Sequence, residues 1–317
     1  MLSAFKNKIL VTGGAGFVGS TMVDKLIEDP DNFVVIVDNL STGNIKRLPE
    51  ANPLNNWKFI KCNCNAYRDI SDVMTSYKFD YVFHYAAVVG VKRTLDNPVS
   101  VLNDISGIKY ILDLCKNTGV KRIFFSSSSE VYGEPFEHPQ NEMTTPLNSR
   151  LPYAVVKNVG EAFLRSYKQE FNLDYTIFRF FNTYGPKQSG DFVMTRFIKA
   201  ALEGKKISVY GDGTQTRTFC YRDDNVDACA NTLYKNVHLN DTVNIGSDFE
   251  ITVLDLAKMI IKLTNSKTEI VHLPPLAEGD MTRRKPDIEK MKMLLGRPMI
   301  SLEEGIRKTI ESGQYNF

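Results

Sequence analysis

Tyr153 and Lys157 stand four residues apart in YAVVK, one turn of a helix, which would put both side chains on one face. A lysine ammonium beside a phenol lowers the phenol pKa, and the phenolate can then take a proton from a substrate hydroxyl. The same spacing also suits an ordinary solvated helix face. Upstream, the apolar run RIFF at 122–125 ends in Ser126–Ser129, followed by Glu130. A hydroxyl at such a strand end can bridge substrate and tyrosine. Near the start of the chain, Gly13, Gly16 and Gly19 recur every third residue in TGGAGFVGS.

These residues need elements to position them. Ile9, Leu10 and Val11 read as a buried parallel strand, and Met22, Val23 and Leu26 fall at helical spacing after the glycines. Strand, glycine turn and helix aim backbone N–H groups at an anion. Gly13 permits the tight turn, Gly16 lets a pyrophosphate approach, and Gly19 lets the helix pack on the sheet. A second apolar run, Phe33–Val37, ends in Asp38, about twenty residues further on. An acid there accepts the adenosine ribose hydroxyls and repels a 2′-phosphate. The pattern predicts a dinucleotide-binding Rossmann unit that takes NAD, while Lys46 and Arg47 keep NADP open.

The remaining first half alternates strands and helices, which predicts an α/β fold: a doubly wound parallel sheet with ligands beyond the strand C-termini. Strands are expected at Trp57–Lys61, around Tyr81–Phe83, at 122–125 and at Tyr175–Phe181; helices at Ile70–Tyr77, Pro98–Thr118 and Tyr153–Glu170. In the second, Leu102, Ile105, Ile108, Ile111, Leu112 and Leu114 mark the buried side. From Asn182 turns become frequent. Helices at Phe192–Glu203, Val253–Leu263 and Ser301–Ser312, with strands at Ile207–Tyr210 and Thr242–Ile245, suggest a smaller α/β lobe. The expected division is 1–181, joined by 218–245, for the Rossmann domain, and 182–217 with 246–317 for the substrate lobe.

Composition narrows the classes. The net charge of +2 gives no reason to expect a nucleic-acid partner. No apolar stretch is long enough to cross a membrane, and the first residues lack a signal-peptide run, so a cytoplasmic protein is expected. The five cysteines are scattered and odd in number, which reads as reduced thiols and no metal site. Cys62 and Cys64, two apart on an expected strand, should point to opposite faces.

In order along the chain stand TGGAGFVG, DNLSTGN, HYAA, SSSSEVYGEP, YAVVK, RFFNTYGP, GDGTQTRTFCYRDD and RRKPDI. This set resembles the extended short-chain dehydrogenases/reductases that act on nucleotide sugars, over nearly the whole chain. The resemblance implies an NAD that removes hydride from a sugar carbon, most often C4. It implies Tyr153 as base, Lys157 as holder of the nicotinamide ribose and Ser128 as helper. It places Gly13, Gly16, Phe17, Val18, Asp38, Asn39, Asn63, Ala86 and Lys157 around the cofactor, and Lys92, Asn182, Arg217 and Arg284 on the substrate. Asn63 stands where many relatives carry an aspartate for the adenine amino group.

The implied reaction is divided. The loop at 86–98, AAVVGVKRTLDNP, is similar to that of 4-epimerases, which makes a nucleotide-sugar 4-epimerase the leading expectation. Glu130 keeps a 4,6-dehydratase open. The tail RRKPDIEKMKMLLG is similar to both 4-epimerases and nucleotide-glucuronate decarboxylases, and net C4 oxidation is a further alternative. A non-catalytic NAD-binding protein is the remote one, disfavoured by the intact Ser128, Tyr153 and Lys157. The wide apolar arcs of the helices at 98–118 and 153–170, with Tyr110, Leu114, Ala162, Phe163 and Tyr167, suggest a homodimer or a higher homo-oligomer, and the resemblance implies pairing of these helices across a two-fold axis.

Overall fold

The computed structural model describes residues 5–134, 136–275 and 283–315, apart from the side chains of Val91, Lys92 and Leu95. It begins with β1 (Asn7–Thr12), α1 (Phe17–Leu26), β2 (Asn32–Asp38), β3 (Trp57–Lys61), α2 (Tyr67–Tyr77) and β4 (Tyr81–His84). Then come α3 (Val91–Asp96), α4 (Pro98–Leu102), α5 (Asp104–Thr118), β5 (Arg122–Ser128), α6 (Pro152–Phe171) and β6 (Asp174–Phe180). Next are β7 (Thr183–Tyr184), α7 (Val193–Leu202), β8 (Ile207–Tyr210), β9 (Thr216–Thr218), β10 (Cys220–Tyr221) and α8 (Arg222–Tyr234). The chain closes with β11 (Asp241–Ile245), β12 (Glu250–Thr252), α9 (Val253–Leu263), β13 (Ile270–Leu273), α10 (Glu289–Leu295) and α11 (Leu302–Glu311).

One sheet has seven strands in the order β11-β6-β5-β4-β1-β2-β3, so strand order reverses at β1 and β4. The registered pairs from β3 to β5 are parallel. The fold is therefore the doubly wound α/β Rossmann architecture, with a smaller C-terminal α/β region. Every residue of β2 is buried, as expected of a central strand covered on both faces. The chain forms two compact units: 1–131 with 152–179 and 226–243, and 132–151 with 180–225 and 244–317. Leu10, Val35, Val82, Ile111 and Ile177 centre the first core; Ile198, Val209, Leu256 and Ile306 centre the second.

Three expectations need correction. The helix at 98–118 divides at Asn103, where an i+3 bond from Ser106 N–H to the Asn103 carbonyl tightens the turn. Leu102, just before that turn, is 41% exposed rather than buried. Cys62 and Cys64 lie past the end of β3, where strand alternation no longer applies; both thiols are buried in the same core and hydrogen-bonded to each other. None of the five cysteines is in a disulfide. Among the described residues, no helix is long and apolar enough to cross a membrane, and no group of side chains could hold a metal ion.

Candidate active site

The reversal point brings the glycine turn against the end of β4. Gly13 adopts φ +68°, and a Cβ there would lie 2.7 Å from Ala86 N. A Cβ on Gly19 would meet Gly13 O at 2.2 Å, so only glycine lets α1 start this close to the turn. α1 begins after Gly16 with no side-chain cap, which leaves first-turn amides, including those of Phe17 and Val18, without acceptors inside the helix. Thr12 faces His84 in the strand register. The Thr12 hydroxyl accepts the Tyr85 and Ala86 N–H groups at 3.1 and 3.2 Å. Its own proton must therefore go to His84 Nδ1, 2.8 Å away, which places the imidazole proton on Nε2. Burial, helped by the Lys157 charge, pushes His84 down to about 3.

Asp38 ends β2 with both carboxylate oxygens engaged: Oδ2 by Ala15 N–H at 3.1 Å and Oδ1 by Leu40 N–H at 2.8 Å. Burial raises its pKa, and the two amides and the Arg47 guanidinium oppose that rise. Arg47 is buried and donates from Nη1 to the Ala15 and Thr42 carbonyls. Just past Asp38 in the chain, Asn39 joins Ser41, Thr42, Asn63, Asn65, Val88 and Arg93 in lining a cavity of about 600 Å³, with Asn97, Asn103 and Tyr110 among the rest. Asn63 Oδ1 accepts Asn65 N–H at 3.1 Å, using one lone pair and leaving the second for a ligand.

The hydroxyl, phenol and ammonium sit at the end of β5 and the start of α6. Lys157 is 3% exposed; Nζ donates to Ser126 O at 2.6 Å and lies 5.7 Å from the Tyr153 ring centroid. The Ser128 hydroxyl bonds to the Tyr153 phenol and accepts Glu130 N–H at 3.2 Å. The short turn at Ser129–Tyr132 carries Glu130, whose charge bears on the phenol. The expected lowering of the Tyr153 pKa is not what this site shows. Burial raises the phenol, the Glu130 charge adds to the rise, and only the Ser128 bond opposes it. Burial also lowers Lys157 to about 8.

Two supports were missed in the sequence. Glu161 follows Tyr153 and Lys157 on the same face of α6 and is fully buried. It accepts Arg179 Nε and Nη2 at 2.9 and 2.7 Å, the Ser127 hydroxyl at 2.7 Å and Arg165 Nη2 at 2.9 Å. Extending the four-residue spacing from Lys157 would have found it. Asp104 Oδ1 accepts Asn65 Nδ2 at 2.8 Å and Oδ2 accepts Val88 N–H at 2.7 Å, holding the loop after β4. No motif in the sequence announced it.

The expected substrate residues lie in the second compact unit, except Lys92, whose side chain is outside the described residues. Asn182 has φ +34° and donates from Nδ2 to Thr218 O at 2.9 Å. Arg217 lies on β9 and donates from Nη1 to Thr216 O at 2.7 Å, and Arg284 is buried.

Residues 9–246 match the model of the NAD dependent epimerase/dehydratase family, and the chain belongs to that family. It is 35% identical to UDP-glucuronic acid decarboxylase 1 of Danio rerio over 96% of this chain and 72% of that one. It is similar to the crystal structure of UDP-glucose 4-epimerase with UDP-glucose from Thermotoga maritima: TM-score 0.89, 34% identity, covering 96% of this chain and 97% of that one. The Thermus thermophilus UDP-glucose 4-epimerase complex with NAD matches with TM-score 0.88 and 28% identity, over 96% of this chain and 98% of that one.

Proposed function

We propose that this chain is a UDP-sugar 4-epimerase that uses NAD to oxidise the sugar at C4 and restores hydrogen on the opposite face. The observation that carries the reading is the contact set of Ser128, Tyr153 and Lys157 at the end of β5, beside a glycine turn and an acid-ended β2. The residues fit NAD. Gly13 and Gly16 allow close approach of a pyrophosphate, Asn39 and Asn63 line the cavity suited to adenosine just past Asp38 in the chain, and Asn63 keeps an acceptor lone pair there. Arg47 is turned to backbone carbonyls, which favours NAD over NADP. When bound, NAD would supply the hydride acceptor and a positive charge.

In this reading the positive charge of bound NAD and of Lys157 would offset the rise that burial imposes, so that Tyr153 as a phenolate takes the C4 hydroxyl proton, and Ser128 donates to the oxygen where charge develops. Lys157 remains largely protonated at pH 7 and orients the cofactor ribose. Glu130 binds a sugar hydroxyl or the loop. Asn182, Arg217 and Arg284 hold the substrate diphosphate, where guanidinium forks suit phosphate oxygens. Five cysteines with no disulfide among them fit a reducing cytoplasm.

A second reading is favoured by the 35% identity to a UDP-glucuronic acid decarboxylase over 96% of the chain. With a uronate substrate, a C4 ketone stands β to the carboxylate. The C5–carboxylate bond then breaks, carbon dioxide leaves, and C5 gains a proton before C4 is reduced. Incubation with UDP-glucose, UDP-N-acetylglucosamine and UDP-glucuronate, read by product mass and stereochemistry, separates the outcomes. An epimer of unchanged mass is expected; loss of carbon dioxide would replace the first reading by the second. Loss of water or of two hydrogens would assign dehydration or net oxidation instead.

A further inference from the structure

Glu250 opens β12, which pairs antiparallel with β9 so that Glu250 faces Thr218 and Ile251 faces Arg217. The segment 283–288 runs beside β9 through a Thr216–Arg283 bridge. On its other edge Gln140 N–H donates to Lys285 O at 2.7 Å, and Asp287 N–H donates to Gln140 O at 2.8 Å. Burial alternates along this extended segment: Arg284, Pro286 and Ile288 are buried, while Arg283, Lys285 and Asp287 are exposed or half-buried.

One carboxylate holds the outer set. Arg283 Nε and Nη2 donate to Glu250 Oε1 and Oε2 at 2.6 and 2.8 Å, and Lys285 Nζ lies 3.2 Å from Oε2. Residues i and i+2 of an extended strand share a face, so gripping both commits the residue between them, Arg284, to the other. This matters because three cations stand in a row. A slip of one residue would turn Arg283 or Lys285 inward in place of Arg284, at little cost in charge but with a different reach and geometry. Only this register offers Glu250 two cations, Arg283 and Lys285, on one face; a slip would offer Arg284 with Thr282 or Pro286. The attraction of Arg283 and Lys285 holds Glu250 at about 2, so the grip is ionised at any working pH.

We propose that Glu250 is a positioning residue that sets the register of Arg283, Arg284 and Lys285, so that Arg284 meets the substrate diphosphate. The proposal rests on the reading of Arg284 as a diphosphate ligand. The test measures binding of UDP, dTDP and GDP to the full chain, uses the tightest of the three, and adds KM, kcat and NAD affinity. Glu250→Gln should weaken nucleotide binding about tenfold and raise KM to match, with kcat within about twofold and NAD affinity unchanged. In an Arg283→Gln/Lys285→Gln background no competing cation remains, and adding Glu250→Gln should then cost less than about twofold. A purely structural glutamate would cost the same in both backgrounds, and that result would overturn the proposal. So would nucleotide affinity within about twofold in Glu250→Gln while Arg284→Ala loses about thirtyfold or more. If Arg284→Ala also leaves affinity intact, or none of the three nucleotides binds, the diphosphate reading itself fails and the positioning role goes with it.

Discussion

At the scale of single residues, the site depends on what burial does to charge. Burial raises the Tyr153 phenol and lowers the Lys157 ammonium to about 8, so the pair is tuned by desolvation before any ligand arrives. Tyr153→Phe removes the proton acceptor and should lower turnover by about 10²–10⁴-fold while NAD still binds, checked by steady-state rates and cofactor titration. Asp38→Ala should shift preference from NAD toward NADP, read from the ratio of the two dissociation constants. His84 offers a stability test. Its folded pKa, about 3, lies below the ordinary value of 6.5, so between those values the unfolded chain holds more protons than the folded one. Stability at this group is complete above pH 6.5 and falls as the pH drops toward 3, with a slope approaching about 1.4 kcal/mol per pH unit. Denaturant unfolding of His84→Gln across that range should show the slope reduced by one proton.

At the scale of elements, α6 carries the chemistry and is tied to the sheet by a buried ion pair. Glu161 joins α6 to β5 through Ser127 and to β6 through Arg179, which is 1% exposed. Glu161→Ala removes the buried carboxylate that holds the Arg179 charge, and should destabilise the fold by about 3–5 kcal/mol in denaturant titration. Replacing both partners by methionine should recover much of that loss. The elements legible in the sequence were those with a clean period: β1, β2, α6 and α9 stand where apolar spacing put them, to within a residue or two. α8 was missed because it has no apolar stripe. Val226, Ala228, Cys229 and Ala230 are buried, but so are Asp224, Asn225 and Thr232, so inside and outside do not differ in polarity. The first-unit site was legible as motifs. Glu161 shared the four-residue spacing of Tyr153 and Lys157, but its pairing with Arg179, like that of Asp104 with Asn65 and Val88, joins residues distant in sequence that meet only in the fold.

At the scale of the whole molecule, the apolar residues that suggested a dimer are largely used within the chain. Leu114 and Tyr167 are buried in the first core, and Tyr110 and Phe163 pack against it. Val99 at 73%, Leu102 at 41% and Val155 at 36% exposure remain on α4 and α6. We expect a homodimer across these helices, and sedimentation at micromolar concentration should show twice the chain mass of 35.9 kDa. Leu102→Glu should shift that species to monomer, since a buried unpaired charge is costly at an interface. The central claim is reversible removal of hydrogen from C4, and an isotope tests it most directly. Whichever UDP-sugar the protein turns over is supplied with deuterium at C4 in ordinary water, and the product is read by mass and NMR. Deuterium retained at C4 with inverted configuration is the expected result. Loss of the label to solvent would mean that a proton, not a hydride, leaves C4, and would contradict the proposed function at its root.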